Sequence, residues 1–324
     1  FGAITNSNTD NTSPGTITIT YEAVVLNQNT EPSAPGNQDG TQLDNVALLS
    51  WDWNDDPDAG VGVDGSDNIE DDSPNIQVIE PSLSIDVQAS DDNVSYVNNL
   101  TGQDAGDTVY LRFRIESPSG LPTAFDIDLN GVIPPEIVFA GAPIVSSNVI
   151  GTNFSITDGG AADTLSIDDF DLTGNVLSFD ASRNVDIGAS SGFEVILEGT
   201  LAASIHPDTQ YNTTADVEWT SIDGTRSSQS IHNTVGVERD GTGGPGSDTA
   251  VLNNYIAQDN TTLVSIPNVD VVKTIVETSE VHTTSNDVAI GEIVRYRITV
   301  DIPESTIENF QIEDLLPEGL IFLN

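Results

Sequence analysis

Apolar residues recur at every second position through most of this chain. Val269, Val271, Lys273 and Ile275 share one phase of such a run, and Val294, Tyr296, Ile298 and Val300 share another. Phe310, Ile312 and Asp314 form a third row, with Glu313 pointing away, and a Leu-Pro-Glu-Gly corner follows. A period of two is that of a half-buried β-strand, since successive strand side chains point to opposite faces. The spacing therefore predicts three strands and a corner over 267–324.

The same order occurs once before. Val109, Leu111, Phe113 and Ile115 match Val294, Tyr296, Ile298 and Val300, and Phe125 and Ile127 match Phe310 and Ile312, about 185 residues apart. A second pattern also occurs twice. Tyr21, Ala23 and Val25 match Phe193, Val195 and Leu197, and Trp51 at the end of TQLDNVALLSW matches Trp219 at the end of TQYNTTADVEW. A self-similarity this long fits an array of whole domains rather than solenoid units. The reading is the C-terminal half of one repeat at 1–79, a complete repeat at 80–266 and the N-terminal half of the next at 267–324, as if cut from a longer array. About forty residues are missing between the two halves, by comparison with Phe139–Phe179.

Taken in order, strands are expected at 16–26, along Leu43, Asn45, Ala47, Leu49 and Trp51, and at 76–79. Further strands follow from Leu83, Val109, Phe125, Val176 (to Ile187), Phe193, Tyr211 and Tyr255; residues 137–149 are mixed, and 157–171 read as an acidic loop. Pro81 and Pro267 mark the junctions. No segment holds a helical period over a useful length. Many short strands between Gly, Pro, Asn and Asp turns predict an all-β protein of tandem immunoglobulin-like β-sandwich domains. Trp51, Trp219, Phe113 and Phe125 are the expected core anchors.

Charge narrows the partners. The chain carries 8 Lys+Arg against 52 Asp+Glu, a formal net charge of −44. Such a surface repels nucleic acid and anionic lipid and suits a saline medium, where screening relieves self-repulsion. There is no Cys, so disulfides and thiolate metal sites are excluded. No apolar run reaches the length of a membrane span.

Three positions carry candidate chemistry. Lys273, the single lysine, sits in an inward row where the complete repeat has Val87. Asp314 stands where it has Leu129, and Asn45 where it has Thr213. Lysine, acid and asparagine are thus replaced together by Val, Leu and Thr. Burial of an amine favours its neutral, nucleophilic form, and a buried protonated carboxyl can polarise an amide. The set is that of an intramolecular isopeptide cross-link, with Lys273 as nucleophile and Asp314 as the acid of one repeat, and Asn45 as acceptor of its own repeat, whose lysine is expected outside these 324 residues. The plain alternatives are a lysine that snorkels to solvent and an asparagine that bonds the backbone.

The strings VDVVKTIV, AIGEIVRYRITVDIP, IEDLLPEGLIFL, TQLDNVALLSW and TQYNTTADVEW resemble the tandem repeats of large bacterial surface proteins, the isopeptide-forming fimbrial or adhesin-type domains. The resemblance covers most of the chain outside the loops. It implies an immunoglobulin-like sandwich, an extracellular stalk or filament role, and Lys273 and Asp314 as cross-link residues. The middle repeat departs from the pattern at all three positions and is expected to have no cross-link.

Asp52, Asn54, Asp56 and Asp58 alternate as oxygen ligands do in calcium loops, so calcium is the candidate cofactor there, although the spacing is not that of an EF-hand. Two further acidic groups, Asp158–Asp171 and Asp240 with Asp248, are weaker candidates against a solvated acidic surface. His206, His232 and His282 lie in expected turns without a nucleophile motif, so no enzyme is expected beyond autocatalytic cross-linking. Six Asn-x-Ser/Thr sequons, among them Asn93, Asn153 and Asn260, leave glycosylation open. The expectation is a self-assembling structural segment of an extracellular filament, stalk or surface layer. Its rival is an adhesin module that binds glycan or a partner surface through loops, for which Trp53 is the outstanding loop aromatic.

Overall fold

A computed structural model describes residues 16–25, 37–49, 69–72, 76–224, 239–241, 255–283 and 286–323. Among them the chain is all-β, with one short 3₁₀ turn at Ile167–Asp169. Strands β1 (Gln42–Leu43) and β2 (Val46–Leu49) run antiparallel to β4 (Ile76–Gln77) and β3 (Ile69–Asp72). Residues 16–25 hold no strand, against expectation; among the described residues no partner strand is paired with them. Asn45 falls in the break between β1 and β2 and is exposed, so the inward row expected from Leu43 to Trp51 is interrupted there.

The middle of the chain forms a β-sandwich. One sheet begins with β5 (Ser84–Ser90), and β6 (Asn99–Thr101) crosses to the other. Strands β7 (Thr108–Glu116), β8 (Phe125–Val132), β9 (Ile137–Val138) and β10 (Ile144–Ile150) follow. Residues 157–171, expected as loop, are largely ordered. They contribute to a hairpin, β11 (Phe154–Asp158) with β12 (Ala161–Ala162), then a Ser166-capped 3₁₀ turn and β13 (Phe170–Thr173). The single strand expected over 176–187 is two, β14 (Val176–Phe179) and β15 (Arg183–Ile187). An Asp180 turn divides them: its carboxylate accepts from the Ser182 backbone and hydroxyl. The long strands β16 (Gly192–Leu201), β17 (Gln210–Thr220) and β18 (Ile256–Ser265) complete the unit.

The sheets run β10-β16-β7-β5, with β9 also on β16, and β13-β14-β8-β17-β18-β6. Alternate residues of each face inward: Val109, Leu111, Phe113 and Ile115 from β7, Phe193, Val195 and Leu197 from β16, Leu129 from β8 and Val217 from β17 are all fully buried. Full burial of such side chains contributes about 1.5–3 kcal/mol each. At Gly131 on β8 an added Cβ would lie 2.7 Å from the Phe113 ring, so the absence of a side chain there lets the sheets close. Phe170, Phe179 and Phe193 pack as a ring cluster, with centroids 4.9 and 5.2 Å apart along the series.

The last strands, β19 (Asp270–Thr278) and β20 (Val294–Asp301), form a two-stranded sheet. The third strand expected at 310–314 is absent, and Phe310 and Ile312 are exposed. Two polar joints fasten the flanking segments to the sandwich. Glu80 accepts from Asp39 N at 3.0 Å and the Tyr255 hydroxyl at 3.1 Å, and pairs with Arg239. At the other end Ala105 N donates to Glu304 O at 2.7 Å, and Thr306 N donates to Ile205 O at 2.8 Å. The Thr306 hydroxyl donates to Ala203 O at 2.7 Å.

The pairing register repeats between segments. Ile85↔Ile115, Val87↔Phe113 and Ala89↔Leu111 of β5–β7 recur as Val271↔Val300, Lys273↔Ile298 and Ile275↔Tyr296 of β19–β20. Gln210↔Ser265 and Tyr211↔Val264 of β17–β18 recur as Gln42↔Gln77 and Leu43↔Ile76. The register shift between Thr213 and Ala215 has its counterpart between Leu43 and Val46, where Asn45 lies.

Candidate cross-link and assembly site

Lys273 is held by β19 directly opposite Ile298 of β20. Its Nζ donates to Asp314 Oδ1 at 2.6 Å and lies 4.5 Å from the centre of the Tyr296 ring. The structure thus brings together two of the three predicted residues, on the inward phase of the hairpin. The expected burial is missing. The Lys273 and Asp314 side chains are 36% and 34% exposed, because no second sheet covers this face. An ion pair so open to water contributes about 0.2–1 kcal/mol after screening. Beside it runs a groove of about 770 Å³ lined by Val294, Tyr296, Ile298, Leu316, Leu320 and Phe322.

Asn45 sits elsewhere. Its Nδ2 donates to the Tyr21 hydroxyl at 2.5 Å, and no hydrogen bond joins it to Lys273 or Asp314 among the described residues. The equivalents of Tyr21 and Asn45 in the sandwich, Phe193 and Thr213, lie in its two opposing sheets. The Asn45–Tyr21 bond therefore links segments that correspond to opposite layers.

The sandwich shows what occupies the same three positions when they are enclosed. Val87, at the position of Lys273, is fully buried, and its peptide is gripped across the seam between β5 and β18. Val87 N donates to Asp259 Oδ2 at 2.7 Å, and the Thr262 hydroxyl donates to Val87 O. Asp259 is itself fixed by Thr261, whose N and hydroxyl donate to its other oxygen at 2.9 and 2.7 Å. Leu129, at the position of Asp314, is core. Thr213, at the position of Asn45, is 1% exposed, and its hydroxyl has no hydrogen-bond partner among the described residues.

Three of the acids at 158–171 surround one cation from a later strand, a link that no sequence spacing announces. Arg183 contacts Asp158 at 2.5 Å, Asp169 at 2.7 Å and Asp163 at 3.9 Å. The hydrogen bond from Arg183 holds the Asp158 carboxyl below its usual range. A second cluster was not anticipated: carboxylate oxygens of Asp126, Asp186 and Asp223 lie within 4.8 Å of one another. Asp126 accepts from Asn184 Nδ2 at 2.7 Å and the Thr220 hydroxyl at 2.9 Å. Burial, then repulsion from Asp223 and Asp126, pushes the Asp186 carboxyl up, opposed by hydrogen bonds from Asp126 N and Ser155. These residues come from β8, β15 and the bend after β17, so no local spacing announces them. Asp52, Trp53, Asn54, Asp56, Asp58, His232 and Asp248 lie outside the described residues.

The fold and site define an all-β chain whose middle is a closed sandwich and whose flanks are open hairpins. No family model matches the chain, and no curated protein does. Solved structures similar to it include the major pilin subunit of Bacillus cereus, at 9% identity and a TM-score of 0.31 over 72% of this chain and 61% of that one. The pilus backbone RrgB from Streptococcus pneumoniae matches at 12% identity and a TM-score of 0.27, over 43% and 32%. The Actinomyces fimbrial adhesin FimA matches at 10% identity and a TM-score of 0.28, over 59% and 58%. This chain spans less than two thirds of each of them. The β-sandwich assignment rests on the chain's own sheets. Among the described residues no helix is long and apolar enough to cross a membrane.

Proposed function

We propose that this chain is a structural segment of an extracellular filament, stalk or surface layer built from tandem β-sandwich repeats. The observation that carries the reading is the repeated register. The strand pairs β1–β4 and β19–β20 pair as do β17–β18 and β5–β7, yet among the described residues no opposing sheet covers their inward faces. The first supplies the back of a sandwich and the second the front, so 1–79 and 267–324 are the two halves of a repeat, completed between copies or successive repeats. Open strand edges and uncovered apolar faces drive such completion.

Closure would also enclose Lys273, Asp314 and Asn45 together. Lys273 Nζ then attacks the Asn45 amide carbon; the Nζ–Cγ bond forms, the Cγ–Nδ2 bond breaks, and ammonia leaves with the amine's proton. Protonated Asp314 polarises the amide oxygen during attack and relays that proton to the leaving nitrogen. The bond would carry pulling force along the array. Intact-mass analysis of the assembled protein tests it: each cross-link removes the mass of one ammonia, and Lys273→Arg abolishes the loss. An assembled array at full mass overturns the cross-link.

Calcium is proposed for Asp52, Asn54, Asp56 and Asp58 on their alternate oxygen ligands. Chelation should then lower the melting temperature, because a ligand that binds only the folded state stabilises it. A melt that chelator leaves unchanged overturns that assignment.

A further inference from the structure

Strand β20 is paired with β19 alone among the described residues, so one of its edges is open. Its counterpart in the sandwich, β7, has both edges filled, by β5 and by β16. The β5 side is reproduced by β19 at Val271, Lys273 and Ile275, up to a register shift before Glu277. What is missing on β20 is therefore the equivalent of β16.

The equivalent of β16 is present in the chain, unused. Tyr21, Ala23 and Val25 stand in the pattern of Phe193, Val195 and Leu197 of β16. Residues 16–25 form no strand and expose Tyr21, Val24 and Val25 by 66%, 52% and 52%. In the sandwich, Phe193, Val195 and Leu197 pair with Ile115, Phe113 and Leu111. Carrying that register across the repeat fixes which residues must meet.

We infer that residues 21–25 of a second copy of this chain add antiparallel to the open edge of β20, with Tyr21 opposite Val300, Ala23 opposite Ile298 and Val25 opposite Tyr296. The inference rests on the completion of half-repeats proposed above and assigns its partner and register. Charge supports the pairing. Residues 1–79 contain no Lys or Arg, whereas β19 and β20 carry Lys273, Arg295 and Arg297. Glu22 of the added strand falls opposite Thr299 and diagonal to Arg297, within reach of a long side chain. In the sandwich Glu194, the counterpart of Glu22, lies 3.8 Å from Arg114 directly opposite it, the position that Thr299 takes on β20. The groove beside β20 would receive the inward side chains.

Engineered cysteines test the register, since the chain has none of its own. Glu22 and Thr299 are both exposed and occupy the positions of Glu194 and Arg114, which pair directly. The 324-residue chain bearing Glu22→Cys is mixed with the chain bearing Thr299→Cys and oxidised. The expected product is a disulfide-linked heterodimer in excess over either homodimer. Ala23→Cys mixed with Thr299→Cys should not link, because a one-residue slip puts the side chains on opposite faces of the sheet.

Linkage that is equal for both mixtures overturns the register. So does self-association in the ultracentrifuge without the Glu22–Thr299 disulfide, although half-repeat completion would then stand. A double variant that closes its disulfide within one chain overturns the second copy as partner. A chain that stays monomeric at all concentrations and never links overturns the inference, together with completion between separate copies.

Discussion

Val87 and Lys273 stand at the same point of the same hairpin and have opposite surroundings. Val87 pairs with Phe113, and Lys273 with Ile298, in one register. Val87 and Phe113 are fully buried, while β19 exposes Val271 by 59% and Val272 by 45%. Alternation of apolar residues is therefore enough to set the hairpin and its register, but burial depends on a second sheet, which local sequence does not supply. The comparison also separates two ways of tying sheets together. The sandwich uses a carboxylate and a hydroxyl on the Val87 peptide; the open hairpin carries the Lys273–Asp314 ion pair.

The largest test of this contrast is a pair of truncations. Phe113→Ala should destabilise the sandwich by about 3–5 kcal/mol, from lost transfer energy and the cavity left behind. Ile298→Ala, its counterpart on the open hairpin, should leave the sandwich transition unchanged in dilute monomer. Urea melts of the two variants decide it. A comparable loss from Ile298→Ala would mean that β20 is already covered in the single chain.

Next in size is the seam. Asp259→Ala leaves the buried Val87 N–H without its acceptor, which costs about 1–3 kcal/mol. Faster amide hydrogen exchange at Val87 should accompany the loss. Stability lost without faster exchange at Val87 would place the effect elsewhere, in the Asp259–Thr261 turn.

Thr213 sharpens the comparison from the other side. Its hydroxyl is buried at the position that Asn45 holds in the first segment, without a partner. Thr213→Val keeps the shape and removes the unmet group, so a gain of up to about 1 kcal/mol is expected. A loss instead would show that the hydroxyl has a bonding role in the core.

Much of this was legible in the sequence, for a physical reason. Rows such as Val109 to Ile115 are two-period because their strand has one inward face, and they announced β7 directly. The change from Val87 to Lys273 was readable because β19 keeps the strand phase of β5, whereas Asp314 and Asn45 lie outside strands and are matched to Leu129 and Thr213 by sequence alone. Legibility ended where neighbours decide. Residues 16–25 and 310–314 alternate like strands but have no partner strand among the described residues. The Asp158–Asp169 acids read as loop because Arg183, which gathers them, lies on a strand further along. The Asp126, Asp186 and Asp223 cluster needed the tertiary arrangement of three elements.

The smallest effect concerns that cluster and is read through pH. Burial raises the Asp186 carboxyl in the folded state, with Asp223 and Asp126 adding to the rise. A raised folded value means that the folded state binds the proton more tightly than the unfolded chain does. The contribution of Asp186 to stability is then fully present below the ordinary value of 3.8 and is lost as pH rises through the folded value. At neutral pH this carboxylate is a charge that the fold would rather hold protonated. Asp186→Asn removes the charge and keeps an acceptor for Asp126 N, while the Ser155 hydroxyl can turn to accept from the new amide. The variant should melt slightly higher than the native chain at pH 7, and the difference should shrink to nothing as pH falls below that of ordinary aspartate. Asp158 is the internal contrast, because its carboxyl is held low by Arg183 and its contribution is lost on acidification instead. Thermal melts of native, Asp186→Asn and Asp158→Asn chains across this range should therefore diverge in opposite directions. If Asp186→Asn melts lower than the native chain at neutral pH, the charged carboxylate is stabilised where it sits, and the burial argument for Asp186 fails.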